Sequence, residues 1–495
     1  MQLLKKIPFF LLLFVLFFCL HGSVENYGYL NLAEVVNVGL LCILCIILFF
    51  GLSWFISRNY TLAGLVTFFI SLWYLFFGAI YDLIKATLFL HFLQSYALLL
   101  PVLLLVNIAV TWWLKHNKQL HQKLFLYLNV LFLLFCIADA FLLVNKRRNY
   151  KEAAIANPLP FDQTKVTQKP NVYFLLFDEY PGYTSLRDSF AFLNDSLYQF
   201  LNKKEFVFLP VNANYNMTFY SMSSMLNMHY IDKPYVALAN TLEDDQLRIR
   251  EIKNARAFQY FTGMGYSIRN YSIFDILDQP SVKGNSFVIS QATLLTHKIF
   301  FNRILKDLGW HFISGKYQIP FIKRIYMKDD RNNRFIEEKI SESSSKKMIS
   351  PQFIYAHFNM PHPPVFCDSL GNYLPTDQIF DQKSYINKQL FLSYLKFANK
   401  KIEKVVDAIC KNDSKSIVIV MSDHGYRGYK STQLIEPHQF DNICAVRIPG
   451  KPFKTYSEKW SAVNFFRYLF NTAYNQDIPY LKDSSIFLKD KRTGR

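Results

Sequence analysis

Three segments deliver metal-ligating side chains at the point where an apolar run stops. Asn171-Val-Tyr-Phe-Leu-Leu-Phe-Asp178-Glu179 ends in two carboxylates, and Ile417-Val-Ile-Val-Met-Ser422-Asp423-His424-Gly425 runs directly into an Asp-His pair. Phe353-Ile-Tyr-Ala-His357-Phe-Asn-Met-Pro-His362-Pro-Pro364 brings two histidines just as prolines break the run. Adjacent oxygen and nitrogen donors followed by glycine suit a divalent cation, and a mixed carboxylate and imidazole set allows zinc or manganese. Each segment also has a plainer reading. An Asp after a strand often caps the next helix, a His beside proline is commonly a loop residue, and an Asp-His-Gly turn can carry its histidine incidentally. The co-occurrence of all three argues for one metal site.

A cation held this way needs a group to activate. In Asn214-Tyr-Asn-Met-Thr218-Phe-Tyr-Ser-Met-Ser-Ser-Met-Leu-Asn-Met228 a hydroxyl comes just before an expected helix that contains Ser221, Ser223 and Ser224. Thr218 would lie in the positive field of the helix N-terminus, where anions bind favourably. Coordination to a metal would lower its pKa further and give an alkoxide nucleophile near neutral pH. A threonine at this place is equally well read as a simple N-cap.

These residues need a scaffold that brings separate strand ends together. From Asn171 onward, short apolar runs alternate with longer helical patterns. Val172–Phe177, Tyr266–Ile268, Phe353–Phe358, Ile417–Met421 and Ala445–Ile448 read as buried strands, and Ser189–Asn202, Ala255–Thr262, Tyr385–Cys410 and Ser461–Asn471 as helices. The alternation predicts a layered α/β domain with a mostly parallel central sheet flanked by helices. Ligands bind beyond the carboxyl ends of the strands in such sheets, where the three segments stop. The polar stretch Lys328–Met348 reads as a loop with a short helix.

The first third of the 495-residue chain is different in kind, dominated by Leu, Phe, Ile and Val up to about Lys146. Apolar stretches near Ile7–Leu20, Val35–Ser57, Tyr60–Ile84, Tyr96–Leu114 and Leu124–Asn145 predict an α-helical transmembrane anchor of five helices over 1–145. Spanning takes about 20 apolar residues, so the first stretch is short. Lys5 and Lys6 before it also fit a signal peptide, but Cys19-Leu20-His21-Gly22 is a poor cleavage site, and an uncleaved helix is expected. Lys5, Lys6, Arg58, Lys115, Lys118 and Lys123 would all face the cytoplasm with the N-terminus inside, which puts the domain of 171–495 outside. Lys146, Arg147 and Arg148 run against that orientation. Asp82 and Asp139, at or within apolar spans, are either functional carboxylates or residues reaching the headgroup region. Residues 146–170, with charges, prolines and no apolar period, form a linker.

The net charge of +18 is spread through the second half without dense basic runs, so nucleic acid is not the expected partner. An anionic membrane surface or a phosphate-bearing substrate suits it better, and plain solubility charge is the other reading. Seven cysteines without a CxxC pair indicate neither a disulfide framework nor redox chemistry, and read as small buried hydrophobes.

In the order Asp178, Thr218, Pro361-His362-Pro363, Ser422-Asp423-His424-Gly425, the motifs resemble the alkaline phosphatase and sulfatase superfamily. The chain looks like its membrane-anchored branch, which includes lipoteichoic acid synthases and phosphoethanolamine transferases. The resemblance covers about 171–488, and its sharpest piece is the Asp-His-Gly turn. It implies Asp178 as the first-strand metal ligand with Glu179 beside it, Thr218 as nucleophile and ligand, Asp423 and His424 as the late metal pair, and His362 as the histidine that meets the substrate phosphate. His438 is the candidate for a further histidine after the turn, and His357 is placed to reach the site or to be buried structurally. Formylglycine sulfatases need Cys or Ser followed by Pro two residues on and Arg four residues on. Nothing near Thr218 offers that, and Cys367 precedes Asp-Ser-Leu-Gly.

The resemblance therefore implies phosphoryl rather than sulfuryl transfer. A headgroup, phosphoethanolamine or phosphoglycerol, would pass from a membrane phospholipid donor to a glycan or lipid acceptor, outside the plasma (inner) membrane of a bacterium. A hydrolase or phosphodiesterase of the same fold, or a catalytically silent membrane protein that binds glycan or partner proteins, are the alternatives.

Overall fold

The computed structural model describes residues 2–27, 30, 32–149, 159–231, 242–281, 293–313, 319–346, 349–380, 387–428, 436–451 and 460–488. Internal contacts divide the chain into two units, Met1–Ala154 with Ser286–Trp310, and Ile155–Asn285 with His311–Arg495. Residues 150–158 of the expected linker lie outside the described residues.

The first unit contains α1 (Phe10–Glu25), α2 (Leu32–Ser57), α3 (Tyr60–Ala86), α4 (Tyr96–His116) and α5 (His121–Asn149). The last four are long and apolar enough to cross a membrane. α1 has only 16 residues, yet it is the hub of the bundle, with Phe10, Leu11, Phe14, Val15 and Phe18 buried. Phe10 meets Phe68 and Phe125 edge-on, and Phe14 meets Phe68 and Phe132. A helix start with no capping side chain of its own leaves backbone amides without partners, which lipid cannot supply. Asn129 of α5 fills that role. Its carboxamide oxygen accepts from the Phe10 amide, and its Nδ2 donates to the carbonyls of Leu4 (2.8 Å) and Ile7 (2.9 Å). At the other end of α1, Lys146 Nζ donates to the Val24 carbonyl at 2.6 Å. Asn129 to Lys146 is about 25 Å of helix at 1.5 Å per residue, so α1 keeps company with α5 over most of a hydrocarbon core.

The two carboxylates in this unit have partners: Asp82 pairs with Arg303 at 3.0 Å, and Asp139 lies 3.3 Å from His21 Nδ1. Arg303 comes from the later segment of the unit, which holds α11 (Thr293–Thr296) and α12 (Phe300–Leu308).

In the second unit, β1 (Val172–Phe177) is an apolar run buried at every position. That pattern fits a strand covered on both faces. It lies between β5 (Gln352–Phe358) and β6 (Ile417–Met421), parallel to both, and β4 (Ser267–Tyr271) continues the parallel set beyond β5. β7 (Cys444–Arg447) joins β6 antiparallel, and β2 (Val207–Phe208) joins β7, giving the order β2-β7-β6-β1-β5-β4. β3 (Val211–Asn212) and β8 (Trp460–Ser461) form a small separate pair. Alternate residues of β1 feed two cores. Val172, Phe174 and Leu176 pack with α8 (Thr218–Asn227), α10 (Arg256–Gly263) and α18 (Phe465–Tyr474). Tyr173, Leu175 and Phe177 pack with α7 (Asp195–Lys203), α14 (Lys328–Ser345) and α16 (Lys388–Asn412). The mostly parallel, helix-flanked sheet expected from the sequence is thus present.

Several local expectations need correction. Lys328–Met348 is not a loop with a short helix: α14 runs for 18 residues, because Ile336, Ile340, Asn333 and Glu337 form a buried stripe on one face. Glu337 is held there by Lys401 and Lys404 of α16. Ser189–Asn202 is two helices, α6 (Tyr183–Phe190) and α7, broken where Ala191 and Asn194 take positive φ. The predicted helix from Tyr385 begins at Lys388, its first two residues lying outside the described ones, and the one from Ser461 begins with β8 and settles into α18 at Phe465.

Replacing Asn129 by Leu removes three hydrogen bonds at the start of α1. The full chain in detergent is expected to lose about 1–2 kcal/mol, the scale of polar contacts between membrane helices, seen as a lower thermal midpoint. An unchanged midpoint would show that α1 does not depend on this contact.

Candidate functional site

Because β1, β5 and β6 are parallel and in close register, with Phe177 opposite Phe358 and Leu176 opposite Met421, their carboxyl ends deliver the next residues to one edge of the sheet. Asp178, Asp423 and His424 meet there, all buried, with one donor atom from each lying within 4.8 Å of the others. His424 Nε2 is 3.2 Å from Asp423 Oδ2 and 3.8 Å from Asp178 Oδ1. Its other nitrogen, Nδ1, is 2.8 Å from the Gly425 carbonyl and donates to it. With Nδ1 donating, it is the neutral imidazole's Nε2 that would carry the lone pair, the tautomer a metal ligand needs. Asp178 Oδ1 and Asp423 Oδ2 have no hydrogen-bond partner although both are buried. Two unpartnered carboxylate oxygens facing an imidazole nitrogen out of water are stable only with positive charge among them. The residues therefore fit a divalent cation.

The turns that hold this trio are tightly specified. Gly425 admits no side chain, since a Cβ there would lie 2.2 Å from the His438 carbonyl oxygen and 2.6 Å from that of Asp441. Ser422 Oγ donates to the His424 carbonyl and accepts from the Tyr180 amide, both at 2.8 Å, tying the β6 turn to the β1 turn. Glu179 adopts φ 61, a left-handed conformation that costs a non-glycine residue about 1–2 kcal/mol. Its amide donates to Asp423 Oδ1 at 3.2 Å, and its Oε1 accepts from the Arg427 amide at 2.6 Å. Burial pushes the Asp178 carboxyl up, but His362, His357 and His424 together outweigh this and hold it well below the usual carboxylate range. It is ionised at neutral pH.

Thr218 is the first residue of α8, and Met217, not Thr218, occupies the cap position. The Thr218 hydroxyl lies 3.2 Å from His424 Nε2, and Ser221 one turn later donates to the Asp423 carbonyl at 2.6 Å. The far end of α8 is fixed by Arg467 of α18, whose Nε and Nη2 donate to the Met228 carbonyl at 3.2 and 2.6 Å. Burial lowers the Arg467 pKa to about 10, so it remains a cation at the negative end of the helix.

His362 stands in a second group at the rim. Its Nε2 is 3.6 Å from Glu179 Oε2 and accepts from Arg427 Nη2 at 3.0 Å, and its amide donates to the Asp178 carbonyl at 3.2 Å. His357 is fully buried on β5, with Nε2 3.6 Å from Asp178 Oδ2 and without a hydrogen bond, and Tyr355 Oη 3.1 Å from its Nδ1. His438 lies on α17 (Glu436–Phe440) and meets the site through its carbonyl at Gly425. Its ring is not in the ligand group found among the described residues.

Two contributors escaped the sequence reading. Arg427 follows the Asp-His-Gly turn by only two residues, and an arginine so close to a strand end was a usable signal. Asn333 was not readable. From α14 its Oδ1 accepts from the Asn359 amide at 2.8 Å and its Nδ2 donates to the Asn359 carbonyl at 3.3 Å, fixing the start of the His362 loop.

Cys367, the thiol weighed against a sulfatase signature, is buried and unpaired, and burial pushes its pKa up to about 12. It is a core residue rather than a nucleophile.

The family model described as Sulfatase matches residues 211–469. No curated protein matches the chain. Similar solved structures include the C-terminal periplasmic domain of EcEptC from Escherichia coli in complex with Zn, with 10% identity, 64% of this chain and 85% of that chain covered, and a TM-score of 0.39. A phosphonate monoester hydrolase from Silicibacter pomeroyi is similar at 12% identity, with 66% and 76% covered and a TM-score of 0.40. The matched family span is more than half of the chain and runs from β3 into α18, enclosing Thr218, His362, Asp423 and His424. The chain belongs to the sulfatase family.

Proposed function

We propose that this membrane-anchored, sulfatase-like enzyme transfers a phospholipid headgroup, phosphoethanolamine or phosphoglycerol, to a glycan or lipid acceptor through a phospho-threonine at Thr218. One observation carries the reading: the Thr218 hydroxyl sits 3.2 Å from His424 Nε2, beside the buried Asp178 Oδ1 and Asp423 Oδ2, which accept no hydrogen bond. A hydroxyl, rather than a thiol or a Ser/Cys in a sulfatase signature, is the group presented there. Helices that cross a membrane suit a lipid donor.

Asp178, Asp423 and His424 would hold a divalent cation, zinc or manganese, which would lower the Thr218 pKa and offset charge gathering on the phosphoryl oxygens. Thr218 gives up its proton to solvent, and its oxygen bonds to phosphorus as the bond from phosphorus to the diacylglycerol oxygen breaks. In the reacting state His362 carries a proton on Nε2 in place of the hydrogen bond from Arg427 and gives it to the departing oxygen, while the released Arg427 guanidinium offsets the charge on that side. In the second step the acceptor hydroxyl passes its proton to His362 and bonds to phosphorus while the Thr218 oxygen leaves. Glu179 orients both rim residues. His357 supports Asp178 from behind, and His438 contributes through its backbone.

The orientation we propose puts Lys5, Arg58 and Lys118 in the cytoplasm and the catalytic unit outside a bacterial plasma membrane. Lys146 argues less strongly against this than its charge suggests, because its ammonium is engaged by the Val24 carbonyl. External protease added to spheroplasts is expected to digest the catalytic unit. Protection of that unit until lysis would reverse the orientation.

Purified protein incubated with vesicles of phosphatidylethanolamine or phosphatidylglycerol is expected to gain the mass of one headgroup phosphate and to release diacylglycerol. Thr218→Ala should abolish the adduct and lower turnover by at least about 10³-fold, the scale of losing a nucleophile. Turnover that survives in Thr218→Ala defeats the covalent route. An adduct that decays to free headgroup phosphate, with a glycan or lipid acceptor present and unmodified, identifies a hydrolase instead.

Chelation should lower the thermal midpoint of the protein, and zinc or manganese should restore it. A ligand that binds only the folded state at 100 times its Kd adds about 2.7 kcal/mol. Asp423→Asn should remove this response, and a midpoint blind to chelator and metal would argue for a catalytically silent binding protein.

A further inference from the structure

One segment has a place in the sequence that disagrees with its place in the structure. α11 and α12 interrupt the sequence of the catalytic unit, between β4 and α13 (Pro320–Tyr326), yet Ser286–Trp310 belongs with the membrane helices. Leu295 and Ile299 are buried in the same core as Phe14 and Phe68, and Phe300 stands edge-on to Phe77 at 4.9 Å. The backbones themselves touch. The Gly78 amide of α3 donates to the Lys298 carbonyl at 2.7 Å, and a Cβ at Gly78 would lie 2.7 Å from Lys298 Cα. Any larger residue at that point would hold the segment off.

Charge adds a second fixing point. The Arg303 side chain, 13% exposed, pairs with Asp82 of α3 at 3.0 Å and with Asp307 at 2.9 Å, and it lies over the Tyr81 ring. Tyr96, at the start of α4, donates to Asp307. A partly buried cation shared by two carboxylates is screened little by salt. A main-chain hydrogen bond, a glycine required for the approach and an ion cluster drawing on three elements make this a built interface.

We propose that Thr293–Leu308 is a second attachment of the catalytic chain, docking on α1, α3 and α4 and holding the catalytic unit to the helical anchor independently of the covalent link through 146–170. This attachment depends on the packing of the first unit and is indifferent to the reaction catalysed.

The test uses the full chain with a site-specific protease sequence placed within 150–158 and a tag at the N-terminus. After cleavage in mild detergent, the C-terminal fragment is expected to stay with the tagged helices through a high-salt wash. Asp82→Arg and Gly78→Val should each reduce its recovery at least ten-fold, and combining Asp82→Arg with Arg303→Glu should restore it, which also shows that the bundle still folds. Loss of the wild-type fragment on cleavage overturns the proposal. So does full retention in both single variants, or an Asp82→Arg loss that the Arg303 exchange fails to repair.

Discussion

Asp178 and Asp423 are buried, and one oxygen of each, Asp178 Oδ1 and Asp423 Oδ2, accepts no protein hydrogen bond and faces the Nε2 of His424. An arrangement of this kind is costly on its own, since desolvating a charge exceeds what most single contacts return. The fold is organised to sustain it. β1 sits at the centre of the sheet so that its end is flanked on both sides, Glu179 accepts a strained backbone to bring its amide to Asp423, and Ser422 stitches the two turns together. The same deficit of positive charge makes the place receptive to a cation.

Registering a hydroxyl against this cluster is a separate mechanical problem, solved along α8. The helix is fastened at its first turn by Ser221 on the Asp423 carbonyl and at its last by Arg467 on the Met228 carbonyl. Thr218 then projects from a rod held at both ends, so its distance to His424 is set by backbone contacts rather than by a loop. His362 is placed by different means. Its loop starts at Asn359, held by Asn333, and its amide leans on the Asp178 carbonyl, so both histidines are referred back to the end of β1.

Much of this was legible in the sequence because the strands are continuous apolar runs, and in a parallel sheet the residues just past such runs fall on one edge. The residues read off as Asp178, Thr218, Asp423 and His424 come together, and Glu179, His357 and His362 gather around them. His438 does so only through its backbone. The illegible part is of another kind. α14 hides its helical stripe in Asn333 and Glu337, polar residues that are buried only because α16 and Asn359 supply their partners. α12 looks like an ordinary amphipathic helix of a soluble domain, and only Gly78 and Asp82, some two hundred positions earlier, reveal where its segment belongs. Pattern over a short window carries none of this, because in each case the deciding partner is distant along the chain.

The burial of α1 has a consequence for how the protein is made. α1 precedes α5 in the chain, so the Phe10 amide and the carbonyls of Leu4 and Ile7 have no carboxamide to meet until Asn129 has been synthesised. Its aromatic side chains likewise wait for Phe125 and Phe132. The surroundings of α1 are therefore drawn from parts of the chain made after it: α5 caps its start, and Leu295 and Ile299, later still, complete its core.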